Sequence, residues 1–159
     1  MKIVLCIGIL FISLFAKEVD IPNELKAWKS LSYVEAAKNI DELSNAKITL
    51  DKASFIKLHR KPKISYVKRA KNEGGSISYG GMFELKINED GIYRLASSNG
   101  AWIDLIKDEK SKKSIAHKPG PQGTGIGKML DFSLEAGVYV LQLSASADST
   151  SAFLITKIK

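Results

Sequence analysis

The sequence predicts a mainly β protein, a jelly-roll-like antiparallel β-sandwich with a short N-terminal helical segment. Three observations carry this. Beyond residue 45 the apolar residues recur with period two in short runs. Glycine, proline and asparagine interrupt those runs at the spacing of sandwich strands. Two segments also echo each other, FELKINEDGIYRLAS (83–97) and LDFSLEAGVYVLQLS (130–144). Each is an alternating strand, an acidic residue and a glycine at a turn, then apolar-Tyr and a second strand.

Lys2 precedes an unbroken apolar run over 3–16, and the chain turns polar at Lys17. That is the pattern of a secretory signal peptide. The run is shorter than the roughly 20 apolar residues that cross a bilayer, and no later segment approaches that length, so no transmembrane segment is expected in the mature chain. Cleavage after Ala16 divides the chain into a signal peptide (1–16), a helical segment packed on the sandwich (17–45) and the sandwich domain (46–159). The expected location is periplasmic or secreted. Leu14 is bulky where a small residue is usual, which keeps an uncleaved anchor as the alternative. Cys6, the one cysteine, lies within the run and leaves with it. Disulfides, thiolate metal ligands and a cysteine nucleophile are then excluded together. The mature chain must hold itself by its core, and about 140 residues suffice for one domain.

Over 20–40 the pattern is helical. Asp20 can cap, Pro22 suits a first turn, and Leu25, Trp28 and Leu31 recur at helix spacing, with Trp28 expected in the core. Short strands follow around Ile48 and Leu50, over 55–58 and over 64–67. In the first echoed segment Phe83, Leu85 and Ile87 share the inner face while Glu84 and Lys86 take the outer. Each echo reads as a hairpin. The inner face of the two is expected to hold Phe83, Leu85, Tyr93, Leu95, Leu130, Phe132, Leu134, Tyr139, Leu141 and Leu143. Tyr93 and Tyr139, each two residues past a turn glycine, can tie their hydroxyls back to backbone as tyrosine corners do. A last strand spans 152–158.

In GGMFELKINEDGIYRLA, AWIDLI, AHKPGP and TGIGKMLDFSLEAGVYVLQL the C-terminal two-thirds resembles a group of small exported Gram-negative proteins of no established function. Gly80, Gly81, Arg94, Trp102, Asp104, His117, Gly120, Pro121, Ile126, Lys128 and Met129 stand at positions of that group's motif. More distantly, the strand-turn pattern is similar to the pre-peptidase C-terminal domain, a jelly-roll-like sandwich appended to secreted enzymes. Relatives in the group often carry a second histidine and a cysteine where this chain has Pro119 and Gly123. The resemblance therefore implies no metal or redox role here.

The formal charge is +7, with lysine and arginine clustered over 57–63, 68–71 and 107–113. Such a charge bears on partners and not on fold. Nucleic acid is disfavoured, because an exported protein seldom meets it and the clusters lack regularly interleaved aromatics. Anionic envelope polymers, glycans, small molecules or envelope proteins fit the address better, and a solvated surface is the plain alternative.

Complete catalytic constellations are missing. The glycine-rich loop of 116–128 fails the P-loop spacing, since Gln122 precedes and Met129 follows Gly127-Lys128 where glycine and Ser/Thr are needed. It fails the dinucleotide fingerprint because it leads into a strand. His59 and His117, the only histidines, have no partners at metal-ligand spacing. A nucleophile elbow is absent. Asp104 and Asp131 supply carboxylates for glycoside hydrolysis, with nothing in the spacing to require it. A non-catalytic binding or accessory role thus ranks ahead of an enzyme, and no cofactor is expected. The runner-up is a hydrolase using Asp104 and His117, or a metal-dependent dioxygenase of jelly-roll type.

Alternation over 101–106 puts Ala101, Ile103 and Leu105 toward the core and Trp102, Asp104 and Ile106 on the other face. An indole beside a carboxylate there fits a shallow polar-aromatic site. The alternative is that Trp102 closes a second apolar layer under the N-terminal helix, with Asp104 bonded to backbone amides. His117 and Lys128 bracket the glycine-rich loop, whose folding back would bring both toward this strand. The expected ligand site is Trp102, Asp104, His117 and Lys128, with Arg94 as an outer member. Lys128 would hold an anionic group, and His117 can make binding pH-dependent. An Asp104–Lys128 ion pair pinning the loop is the structural alternative.

Overall fold

A computed structural model describes residues 19–159. The expected signal peptide, its cleavage at Lys17 and Cys6 lie outside those residues. The described chain is a sandwich of two six-stranded sheets. Its strands are β1 (Leu31–Glu35), β2 (Lys47–Ile48), β3 (Ala53–Lys57), β4 (His59–Arg60), β5 (Tyr79–Ile87) and β6 (Gly91–Ser97), followed by β7 (Trp102–Lys107), β8 (Lys110–Lys112), β9 (Ala116–Lys118), β10 (Lys128–Leu134), β11 (Gly137–Ser146) and β12 (Thr150–Lys157).

The first sheet runs β1-β3-β12-β6-β10-β9 and the second β2-β5-β11-β7-β8, with β4 also on β5. Taking β3, β5, β6, β7, β8, β10, β11 and β12 as first to eighth, the orders are first-eighth-third-sixth and second-seventh-fourth-fifth. That is the jelly roll, with antiparallel neighbours throughout. β1 and β2 add parallel pairings to β3 and β5.

The echoed segments explain the topology, although neither is a hairpin. β5 and β6 lie in different sheets, as do β10 and β11, so each echo is a corner that crosses between layers. The pairing runs between the echoes. Leu85 opposes Tyr139 as Phe132 opposes Tyr93, Phe83 opposes Leu141 as Leu130 opposes Leu95, and each turn glycine faces the last residue of the other's first strand. Tyr93 donates to the Glu89 carbonyl at 2.8 Å and Tyr139 to the Glu135 carbonyl at 2.9 Å, the same offset of four in both corners. The Ala136 amide donates to Asp90 Oδ1 at 2.7 Å and joins the two corners. Phe83, Leu85, Tyr93, Leu95, Phe132, Leu134, Tyr139, Leu141 and Leu143 are buried between the sheets as expected, with Leu130 half-buried at one margin.

The outer face of the first sheet is covered by a 3-10 helix, Asn23–Lys29. Leu25 and Trp28, at the i, i+3 spacing of such a helix, pack on Ala53, Ala96, Met129 and Leu154. Helix does not extend to residue 40. After Ser30 the chain becomes β1, where the sequence LSYVE suits an edge strand. The expected strand over 64–67 is also absent. Residues 61–76 instead form a strap across the outer face of the second sheet, because side chains of the sheet satisfy its backbone. Gln142 Nε2 donates to the Lys68 carbonyl at 2.8 Å, Ser144 Oγ to the Asn72 carbonyl at 2.6 Å, and Tyr66 donates back to the Leu143 carbonyl at 3.0 Å.

Candidate functional site

The margin formed by β8 and β9 holds the cleft. β8 covers only Leu105 to Lys107 of β7, so the stretch Trp102 to Asp104 has no strand on that side. Residues 113–115 leave β8 and cross to β9, which pairs with Met129 to Asp131 of β10. The two layers part there over a cleft of about 300 Å³. Ile103, Leu130 and Phe132, from the inner faces of both sheets, form its floor.

Four of the five expected site residues line it: Trp102, Asp104, His117 and Lys128. Trp102 is 40% exposed, so its indole is an open platform. The apolar layer under the N-terminal helix lies on the other sheet and is closed by Trp28, which overturns the alternative placing of Trp102. Asp104 is 5% exposed and accepts from the Lys71 amide at 3.5 Å, tying the strap to β7. Lys128 reaches across from β10 and donates to the Ala101 carbonyl at the start of β7. Burial pushes its pKa down. It forms no ion pair with Asp104, so its remaining N–H donors point to no protein carboxylate among the described residues. His117 stands exposed on β9 opposite Leu130, and no hydrogen bond joins it to Asp104.

Arg94 is not brought to the cleft. It sits on the outer face of the first sheet, 11% exposed, where Nε and Nη2 hold the two oxygens of Asp131 at 2.8 Å each and Nη1 meets Glu24 at 3.0 Å. The Asp131 hydrogen bonds raise the Arg94 pKa, and Arg94 in turn holds the Asp131 carboxyl below its usual range. This cluster fastens the 3-10 helix to the sheet. It also commits Asp131 to Arg94, away from Asp104. The tip of the glycine-rich loop is structural too. Trp28 Nε1 donates to the Thr124 carbonyl at 3.0 Å, and Ile126 fills the layer beneath the helix.

Sequence reasoning missed three cationic members of the lining, Lys71, Lys112 and Lys113. They belong to the lysine runs of 68–71 and 107–113, whose meeting is a product of the strap and the β7–β8 turn. Only Lys112 has a carboxylate near, Glu135 at 3.9 Å. Among the described residues Lys71, Lys113 and Lys128 have none at ion-pairing distance. Two more voluminous grooves differ on this point. The groove between β1 and the 38–47 segment, about 590 Å³, contains the Lys38–Glu42 pair and the His59–Glu35 contact. The groove beside β2, about 610 Å³, contains Lys47–Glu84 and Lys157–Glu89. Each of those grooves holds ion pairs within the protein, while in the Trp102 cleft Lys112 alone of the four lysines has one among the described residues and Asp104 is the single carboxylate of the lining. No cluster of three metal-ligating side chains occurs among the described residues. No protein-family model matches the chain, and no curated protein matches it.

Proposed function

We propose that this chain is an exported, non-catalytic β-sandwich of the cell envelope that binds an anionic ligand in the cleft between Trp102 and Lys128. One observation carries the reading. Lys71, Lys113 and Lys128 surround an apolar floor and an open indole, with no carboxylate of the described chain paired to any of them. Ammonium groups gathered at a partly apolar cleft repel one another, and an incoming anion relieves that repulsion while losing less to solvent than it would on an open surface. An apolar pocket with a few convergent polar groups is the usual form of a small-ligand site. Export rests on the apolar run of 3–16, and the resemblance to small exported sandwich proteins and to the pre-peptidase C-terminal domain points the same way. An intact mass of the secreted form beginning at Lys17 tests the address.

Tryptophan emission tests the binding. Trp28 is buried, so a ligand-dependent change reports Trp102. Galacturonate and phenyl phosphate should shift the emission, their neutral counterparts galactose and phenol should not, and Lys128→Gln should weaken both anions. Equal responses to charged and neutral partners, or anion binding indifferent to Lys128→Gln, would refute the proposal.

A further inference from the structure

The cleft is the inner end of a longer basic surface. The strap and the β7–β8 hairpin meet beside it, where Lys68 Nζ donates to the Glu109 carbonyl at 2.6 Å. Lys68 and Lys71 on the strap, Lys110 on the hairpin and Lys113 just past it are all exposed. Acidic groups are present as well: Asp108 and Glu109 at the hairpin turn, Asp104 below the strap, and Glu135 shared by Lys107 and Lys112. The balance remains cationic.

Lysine on an edge strand such as β8 also guards against edge-to-edge pairing. That role accounts for Lys110 and Lys112. It does not account for Lys71, which is on the strap, nor for Lys128, which lies half-buried on β10 between β6 and β9.

The size and shape of the cleft narrow the ligand. At about 300 Å³ it stands at the lower end of small-molecule sites and admits one ring-sized unit. Lys71, Lys112 and Lys113 stand at its rim, and Lys68 and Lys110 lie beyond it. They extend the positive surface outward, as a chain bearing repeated negative charges requires. The aromatic content selects among such chains. Single-stranded nucleic acid is held by stacking successive bases on several aromatics. Here one indole is available, and the other exposed aromatics among the described residues, Tyr33 and Phe55, lie toward the opposite edge of the first sheet on β1 and β3. One aromatic platform beside a polar rim suits the apolar face of a sugar ring.

Resting on the reading of the cleft as an anion site, we infer that it takes one acidic sugar unit of a linear anionic polysaccharide. The ring lies against Trp102, the acid group meets Lys128, and flanking units pass over Lys71, Lys112 and Lys113.

Calorimetric titration of the mature chain with mono-, di- and tetragalacturonate, a sulfated heparin-derived tetrasaccharide, neutral cellotetraose, octathymidylate and tripolyphosphate tests this. Affinity should rise with galacturonate length, or the sulfated tetrasaccharide should bind in its place if sulfate is the acid group. Cellotetraose should not bind. Trp102→Ala, at an exposed position, should weaken the acidic tetrasaccharide about tenfold, a loss of one stacked ring. Lys71→Gln with Lys113→Gln should reduce the slope of log affinity against log salt, as expected when ionic contacts are lost. Monogalacturonate binding as tightly as the tetramer, with both weakened by Lys128→Gln, would overturn the chain ligand and leave the anion site standing. Octathymidylate or tripolyphosphate binding as tightly as the acidic tetrasaccharide, and equally to Trp102→Ala, would overturn the sugar. If every anion leaves tryptophan emission unchanged, the anion site itself fails.

Discussion

Asp131→Asn removes one charge from the best-connected ion pair of the fold and keeps the shape of the side chain. Arg94 and Asp131 are 11% and 10% exposed, and two parallel hydrogen bonds join them. Breaking a buried pair by losing one partner costs about 3–5 kcal/mol. Here Glu24 remains on Nη1 and the site is not wholly dry, so a loss of about 2–3 kcal/mol is expected, with a fall in melting temperature of about 5–9 °C for a domain of this size. The pH dependence separates this mechanism from a packing defect. Folding lowers the Asp131 pKa, chiefly through the Arg94 hydrogen bonds and against the effect of burial. A carboxylate lowered in this way stabilises the fold above its unfolded pKa of about 3.9, and the contribution is lost as pH falls through the folded value. Urea unfolding should therefore show the full gap between parent and Asp131→Asn near neutrality, narrowing below about pH 4 as the parent protonates. Equal midpoints at neutral pH, or a gap that persists undiminished in acid, would refute the reasoning.

Phe132→Ala should cost about 3 kcal/mol, the low end for a buried phenylalanine, because the vacated space opens toward the cleft and can take water; urea unfolding measures it. Gly120→Ala should cost about 1–3 kcal/mol, since the added methyl would meet the Ile126 carbonyl oxygen and Cβ and displace the loop from Trp28; the melting temperature reads this directly. Galacturonate affinity should fall as pH rises through the lowered Lys128 pKa, below the ordinary lysine value of about 10.4, because the anion needs the protonated ammonium; calorimetry across alkaline pH follows it.

The inner faces of the sandwich were legible from period two alone, because burial of one face of a strand leaves its mark every second residue. Tyr93 and Tyr139 were legible for a similar reason, since a corner places tyrosine at a fixed offset from its turn. What the echo concealed was its partner. An acidic residue and glycine before apolar-Tyr look alike whether the chain folds back in one sheet or crosses to the other, and the pairing of Leu85 with Tyr139 spans too much sequence to leave a local sign. Leu25, Trp28 and Leu31 fit a longer helix until Leu31 was needed on the sheet edge. The margin of the cleft was half-visible. Alternation turned Trp102 and Asp104 away from the core, but of the lysines joining them Lys112 and Lys113 come from the end of β8 and Lys71 arrives on a strap fixed by Gln142 and Ser144 more than seventy residues away.

Lys128 is where stability and binding are expected to part. A sandwich margin closed by apolar side chains would bury Ile103, Leu130 and Phe132 more completely, yet this one ends in a half-buried ammonium whose partner among the described residues is the Ala101 carbonyl. The lowered pKa means that burial penalises the charged form, a cost carried at neutral pH and relieved as pH rises above the folded value. Lys128→Met keeps the aliphatic stem and removes the charge. Water in the open cleft can take over the Ala101 carbonyl, so the loss of that hydrogen bond is partly offset. The variant should unfold at the parent's urea midpoint or above it, with a gain of up to about 1 kcal/mol, as when a functional site gives up a strained or repelled group. Its affinity for galacturonate should be lost at the same time. A variant destabilised by more than about 1 kcal/mol would mean that Lys128 is a brace between the sheets, since removing a buried hydrogen bond costs that much or more. The ammonium would then belong to the scaffold and not to the ligand.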